Sequence, residues 1–88
     1  MKLRGEFVVR QVMDDIVAIP VGETALQLSG IILLNDVSRV IWECLEKDAA
    51  LDVILQAVTD AFEVSPGEAE ADILEFLNKL REAKLLQE

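Results

Sequence analysis

The side chains able to do chemistry are few and poorly matched to one another. Histidine and tyrosine are both absent, so the usual neutral-pH general base and the commonest metal ligand are missing. The single cysteine, Cys44, cannot close an intramolecular disulfide or supply a thiolate cluster for zinc. It falls on the apolar stripe of a predicted helix with no basic partner, where it reads as a small core residue rather than a nucleophile. The glycines at 5, 22, 30 and 67 are scattered and form no phosphate-cradling loop. Ten carboxylates lie between Glu43 and Glu75 against one base, Lys47, but they lack the alternating ligands and glycine of a calcium loop. They read as a solvated face or as a docking surface for a basic partner. The sequence therefore predicts no catalytic residue, no metal and no cofactor.

What remains is a small folded chain. Its 88 residues have room for one domain over 1–88, and 52% apolar against 28% charged residues is too hydrophobic for a disordered tail. The 17 acids against 8 bases give a net charge of −9, which opposes binding to phosphate backbones or anionic lipid. No stretch approaches eighteen uninterrupted apolar residues, and Met1-Lys2-Leu3-Arg4-Gly5-Glu6 lacks the apolar run of a signal peptide. The expectation is a cytoplasmic protein with no membrane and no nucleic-acid partner.

Two halves with different periods must position any site. Phe7 to Met13 and Ile16 to Pro20 are rich in β-branched residues around an acidic turn, Asp14-Asp15, and predict a hairpin, with Pro20 ending its strand. Residues 21–29 form a connection, and after Gly30 the run Ile31-Ile32-Leu33-Leu34 predicts a buried third strand. From Asn35 the period becomes helical. Val37, Val40, Ile41, Cys44 and Leu45 make one stripe, capped by Asn35 or Asp36, and Leu51, Ile54, Leu55, Val58, Ala61 and Phe62 make a second. Ser65, Pro66 and Glu68 open a third helix as cap, first helical residue and capping-box acid, followed by Ile73, Phe76, Leu77 and Leu80 on its apolar face. Leu85 and Leu86 close the chain. The predicted fold is α+β: a three-stranded antiparallel sheet followed by three helices, the parts from which winged helix-turn-helix domains are built.

An apolar strand lying last in a three-stranded sheet leaves one edge of backbone N–H and C=O groups as a template for another strand. With the third helix beside that edge, Ile31 to Leu34 and the Ile73/Phe76/Leu77/Leu80 face would make a groove for an extended peptide. The competing expectation is that these side chains all turn into the core beneath a covering loop.

The run from Gly30 to Leu45, GIILLNDVSRVIWECL, resembles the strand-to-helix signature of the pyrroloquinoline quinone biosynthesis protein D (PqqD) family, with its apolar strand, Leu-Asn, and helix carrying Ile-Trp. Ile19 to Glu23 upstream is similar to that family's stretch after the second strand, and Phe62 to Ser65 and Asp72 to Leu80 resemble its closing helix. The likeness covers almost the whole chain. It implies a winged helix-turn-helix-like domain that binds the leader of a ribosomally made precursor peptide as an added strand between third strand and third helix. It also implies presentation of that peptide to a modifying enzyme, often a radical S-adenosylmethionine (SAM) maturase. The positions carried over are Ile31, Ile32, Leu33 and Leu34 on the strand and Asp72, Ile73, Phe76, Leu77 and Leu80 on the helix. Arg81 and Lys79, one turn on, would meet leader carboxylates or serve as ordinary bases at a helix C-terminus. Where many relatives carry glycine and then threonine before the second helix, this chain has Lys47 and Ala50, so that helix frays at its start or takes Asp48 as its cap.

The expectation is thus a non-catalytic peptide chaperone, a monomer or weak homodimer. One rival is a winged-helix DNA-binding regulator, disfavoured because residues 51–75 hold no Lys or Arg. The other is a structural subunit that dimerises through third-strand edges.

Overall fold

In the computed structural model, which describes residues 1–88, the chain divides into a sheet unit, residues 5–36, and a helical unit, residues 1–4 and 37–88. The predicted α+β class holds. Two details differ from the sequence reading: there are four helices rather than three, and a short terminal strand pair accompanies the three-stranded sheet.

Three antiparallel strands make the sheet unit: β2 (Phe7–Val12), β3 (Asp15–Pro20) and β4 (Ile32–Leu34), with β3 in the middle. The register sets Phe7 opposite Pro20 and Val12 opposite Asp15, then Ile16 opposite Leu34 and Val17 opposite Leu33. Ile16, Val17 and Ala18 are buried in succession, as a central strand packed on both faces requires. The β2–β3 loop is the two residues Met13 and Asp14, and Met13 takes φ 57, a conformation that favours glycine or asparagine. The connection from Val21, for which the sequence suggests extended chain, contains a five-residue helix, α1 (Glu23–Gln27). That segment is tied back to the start of β2: the Glu6 N–H donates to Thr24 Oγ1 at 2.8 Å and the Val21 N–H to the Glu6 carbonyl at 3.0 Å. Gly5 is required there, since its φ is 104 and a Cβ would stand 2.9 Å from Thr24 Oγ1.

The helical unit contains α2 (Asp36–Glu46), of which all but the first residue lies in this unit, with α3 (Leu51–Ala61) and α4 (Pro66–Glu82). Its core is Ile41, Trp42 and Leu45 from α2, Ile54 and Val58 from α3, and Ala69, Ile73, Leu77 and Leu80 from α4; the helical periods predict these except Trp42 and Ala69, while Leu51 and Ala61 of the predicted second stripe are exposed. The Ser65 Oγ accepts from the Glu68 N–H at 3.2 Å, with Pro66 beginning the helix.

At α3 the expected cap fails. Ala50 stands at the N-cap position without a capping side chain, while Asp48 has φ 61 and its carboxylate accepts from the Met1 ammonium at 3.0 Å. The terminal strands β1 (Lys2–Leu3) and β5 (Leu86–Gln87) pair antiparallel, Lys2 opposite Gln87 and Leu3 opposite Leu86. They meet because α4 ends in a tight turn: the Leu85 N–H donates to the Leu80 carbonyl and the Lys84 N–H to that of Arg81, with Lys84 at φ 61. This is a Schellman turn with lysine where glycine is usual.

Candidate functional site

Within the sheet unit, β4 is an outer strand. It pairs with β3 on one side and has no strand on the other, so a row of its backbone groups is unclaimed by the sheet. Residues directly opposite one another share a face, which places Leu34 with Ile16 and Leu33 with Val17. The two leucines differ sharply: Leu34 is 6% exposed and Leu33 is 66% exposed. Ile32 is half-buried and Ile31, just before the strand, is exposed. The predicted buried strand is therefore a strand with one anchored leucine and one presented to solvent. Gly30 precedes it with φ 94, a kink that limits how far the strand extends toward its N-terminal side.

The helical unit holds the remaining sequence-derived positions on α4, and they separate into two groups. Ile73, Leu77 and Leu80, which the sequence puts with Phe76 on one groove-lining face, are almost completely buried in the core of this unit. Asp72 is exposed, Phe76 half-buried and Arg81 exposed. Arg81 is engaged: its Nη2 lies 2.6 Å and its Nε 3.3 Å from the Glu88 carboxylate oxygens, and its Nη1 donates to Asn78 Oδ1. The hydrogen bond from Arg81 holds the Glu88 carboxyl below the usual carboxylate range. Lys79, the other base weighed for leader carboxylates, stands 3.8 Å from Glu75 one turn back on the same helix. Sequence reasoning missed the Arg81–Glu88 pair, for which the only signal was their opposite charge.

Chemistry is sparse elsewhere. Cys44 is half-buried on α2, and burial first, then the Glu43 carboxylate, push its thiol above the ordinary value despite Lys47. No cluster of Cys, Asp and Glu side chains is placed to hold a metal ion, and no helix is long and apolar enough to cross a membrane.

The structure is a small α+β chain with an open-edged sheet and a capped long helix. The profile of the Coenzyme PQQ synthesis protein D (PqqD) family matches residues 20–86, and the chain belongs to that family. Comparison with curated proteins gives no match. Among solved structures, the chain is similar to TbiB1 in complex with the TbiA(beta) leader peptide, at TM-score 0.73 and 24% identity over 99% of this chain and 95% of that one. It is also similar to a lasso peptide synthetase B1 complexed with the leader peptide, at TM-score 0.71 and 24% identity over 99% and 96%. At that identity the likeness establishes the fold.

Proposed function

We propose that residues 1–88 act as one non-catalytic recognition domain that binds the leader of a ribosomally made precursor peptide and presents it to a modifying enzyme, such as a radical SAM maturase. The observation that carries this reading is the outer strand β4, with an unclaimed backbone edge and Leu33 turned to solvent. An extended guest adds to such an edge as a further strand: main-chain hydrogen bonds supply register, and Leu33 supplies an apolar neighbour for alternate guest side chains. The solved relatives are complexes with leader peptides, which supports a peptide as the guest. On α4, Asp72, Phe76 and Arg81 are the accessible candidates for further contacts, while Ile73, Leu77 and Leu80 hold the helix in place from within its core.

Leu33→Pro tests the strand-addition step. Proline fixes φ and removes the residue's N–H, so the variant, checked for retained fold by circular dichroism, should lose most of the affinity the unaltered chain has for a leader peptide in isothermal titration. Unchanged affinity in a folded Leu33→Pro protein would remove β4 from the reading.

A further inference from the structure

The sheet has two outer strands, and they differ in what their free edges offer. β2 has six residues and β4 three, and Phe7, Val8, Val9 and Val12 make β2 the longer apolar edge. By length alone β2 is the better template for an added strand, since each further residue pair adds main-chain hydrogen bonds. Backbone parity fixes which groups point outward. One pair beyond Phe7 and Pro20, the Val21 N–H donates to the Glu6 carbonyl at 3.0 Å. Hydrogen-bonded and non-hydrogen-bonded pairs alternate along an antiparallel ladder, so Val8, Arg10 and Val12 bond to β3 while Val9 and Gln11 turn their backbone groups away from it. Pro20, which has no N–H, accordingly falls at a non-hydrogen-bonded pair. Carried across β3, the same parity bonds Ile32 and Leu34 to Ala18 and Ile16 and leaves the Leu33 backbone facing outward.

At the centre of the β2 edge the outward carbonyl is already taken. Arg10 Nη1 donates to the Val9 carbonyl oxygen at 3.2 Å, which lays an exposed guanidinium along the edge. Arg10 is the one base of the sheet unit, beside five acids, Glu6, Asp14, Asp15, Glu23 and Asp36, yet none of the ion pairs includes it. A charged side chain on an edge strand opposes pairing with another chain. An incoming strand needs the Val9 carbonyl as an acceptor and must first displace the guanidinium, losing a charge-assisted hydrogen bond. On β4 no side chain bonds to the outward backbone of Leu33.

We infer that Arg10 is a specificity-determining residue: by covering the Val9 carbonyl it closes the β2 edge and confines an extended guest to β4. The inference rests on strand addition as the mode of leader binding. It explains why the shorter of two apolar edges is the one that receives a guest.

Amide spectra of the labelled full chain, titrated with a neutral synthetic peptide of alternating threonine and valine, test this in the unaltered protein and in Arg10→Thr and Gln11→Thr variants. In the unaltered chain the peptide should shift the Leu33 amide far more than that of Val9. In Arg10→Thr the affinity read at the Val9 amide should rise about two- to tenfold, the worth of one backbone hydrogen bond regained. Gln11→Thr makes a similar gain in strand propensity but keeps the guanidinium, so it should leave the β2 edge closed. Equal affinity at Val9 in the unaltered and Arg10→Thr proteins, or the same rise in Gln11→Thr, would overturn the inference. A Leu33 amide unmoved in every protein, with Val9 responding in Arg10→Thr alone, would contradict strand addition at β4 and uphold the closure of β2.

Discussion

The two units handle apolar surface differently. The sheet unit, 32 residues long, leaves Val12, Met13, Leu26, Ile31 and Leu33 exposed; the helical unit, with 56 residues, leaves Leu51, Val53 and Leu74. In the helical unit the 3.6-residue period sends apolar side chains to one side, and Trp42, Ile54, Ile73 and Leu77 disappear together. Strands send alternate residues to opposite faces, so Ile32-Leu33-Leu34, apolar at every position, cannot hide all three on one side. An apolar edge strand that stays exposed carries a risk of aggregation, and its persistence in a folded chain points to a binding use. On the proposed reading, the helical unit supplies stability and the sheet unit supplies the surface that meets the guest.

The largest test of this division is a pair of truncations. Trp42→Ala should cost about 3–5 kcal/mol in urea unfolding, enough to abolish folding in a marginal domain. Leu33→Ala should cost less than about 0.5 kcal/mol yet weaken leader binding about two- to fivefold, the worth of a cross-strand pair. A Leu33→Ala protein that unfolds as readily as Trp42→Ala would erase the distinction between the units. Next in size is the α4 cap. Ser65→Ala should lower stability by about 1 kcal/mol, with no change in leader affinity beyond that expected from folding.

Smaller effects sharpen the picture. Burial and Glu43 raise the Cys44 thiol pKa, so less thiolate is present at neutral pH than in a free cysteine. Alkylation by iodoacetamide at neutral pH should therefore be slower than that of a cysteine peptide and should accelerate only at higher pH. A rate equal to the peptide's would contradict the half-buried setting. At the hairpin, Met13→Asn should raise stability by about 0.5 kcal/mol, because asparagine tolerates the left-handed backbone better than methionine. A loss there would mean that the methionine side chain makes a contact in the folded state despite being 90% exposed.

Local signals in the sequence mark several of the elements. Ser65, Pro66 and Glu68 mark the start of α4, the stripe of Val37, Ile41 and Leu45 marks α2, and the hairpin strands fall within a residue or two of their positions. The misses have physical reasons. Helix α1 is too short to show a period. Strands β1 and β5 are two residues each and exist only because a left-handed Lys84, without the glycine that would announce the turn, brings residues 2 and 87 together. Asp48 was a reasonable cap by type, but the Met1 ammonium claims it. For the candidate site, the edge position of β4 followed from strand order. The contrast between Leu33 and Leu34 did not, because an unbroken apolar run carries no mark of which face is covered. For the same reason, the α4 leucines looked equally available for a guest and for the core.

Heteronuclear nuclear magnetic resonance on the labelled chain tests most directly whether a leader peptide adds to β4 as a strand. On titration with the precursor, the amides of Ile31 to Leu34 should shift in a saturable way, and the complex should show cross-strand contacts between guest and β4 backbone protons. Saturating binding that leaves these four amides unshifted, with no such contacts, would contradict strand addition.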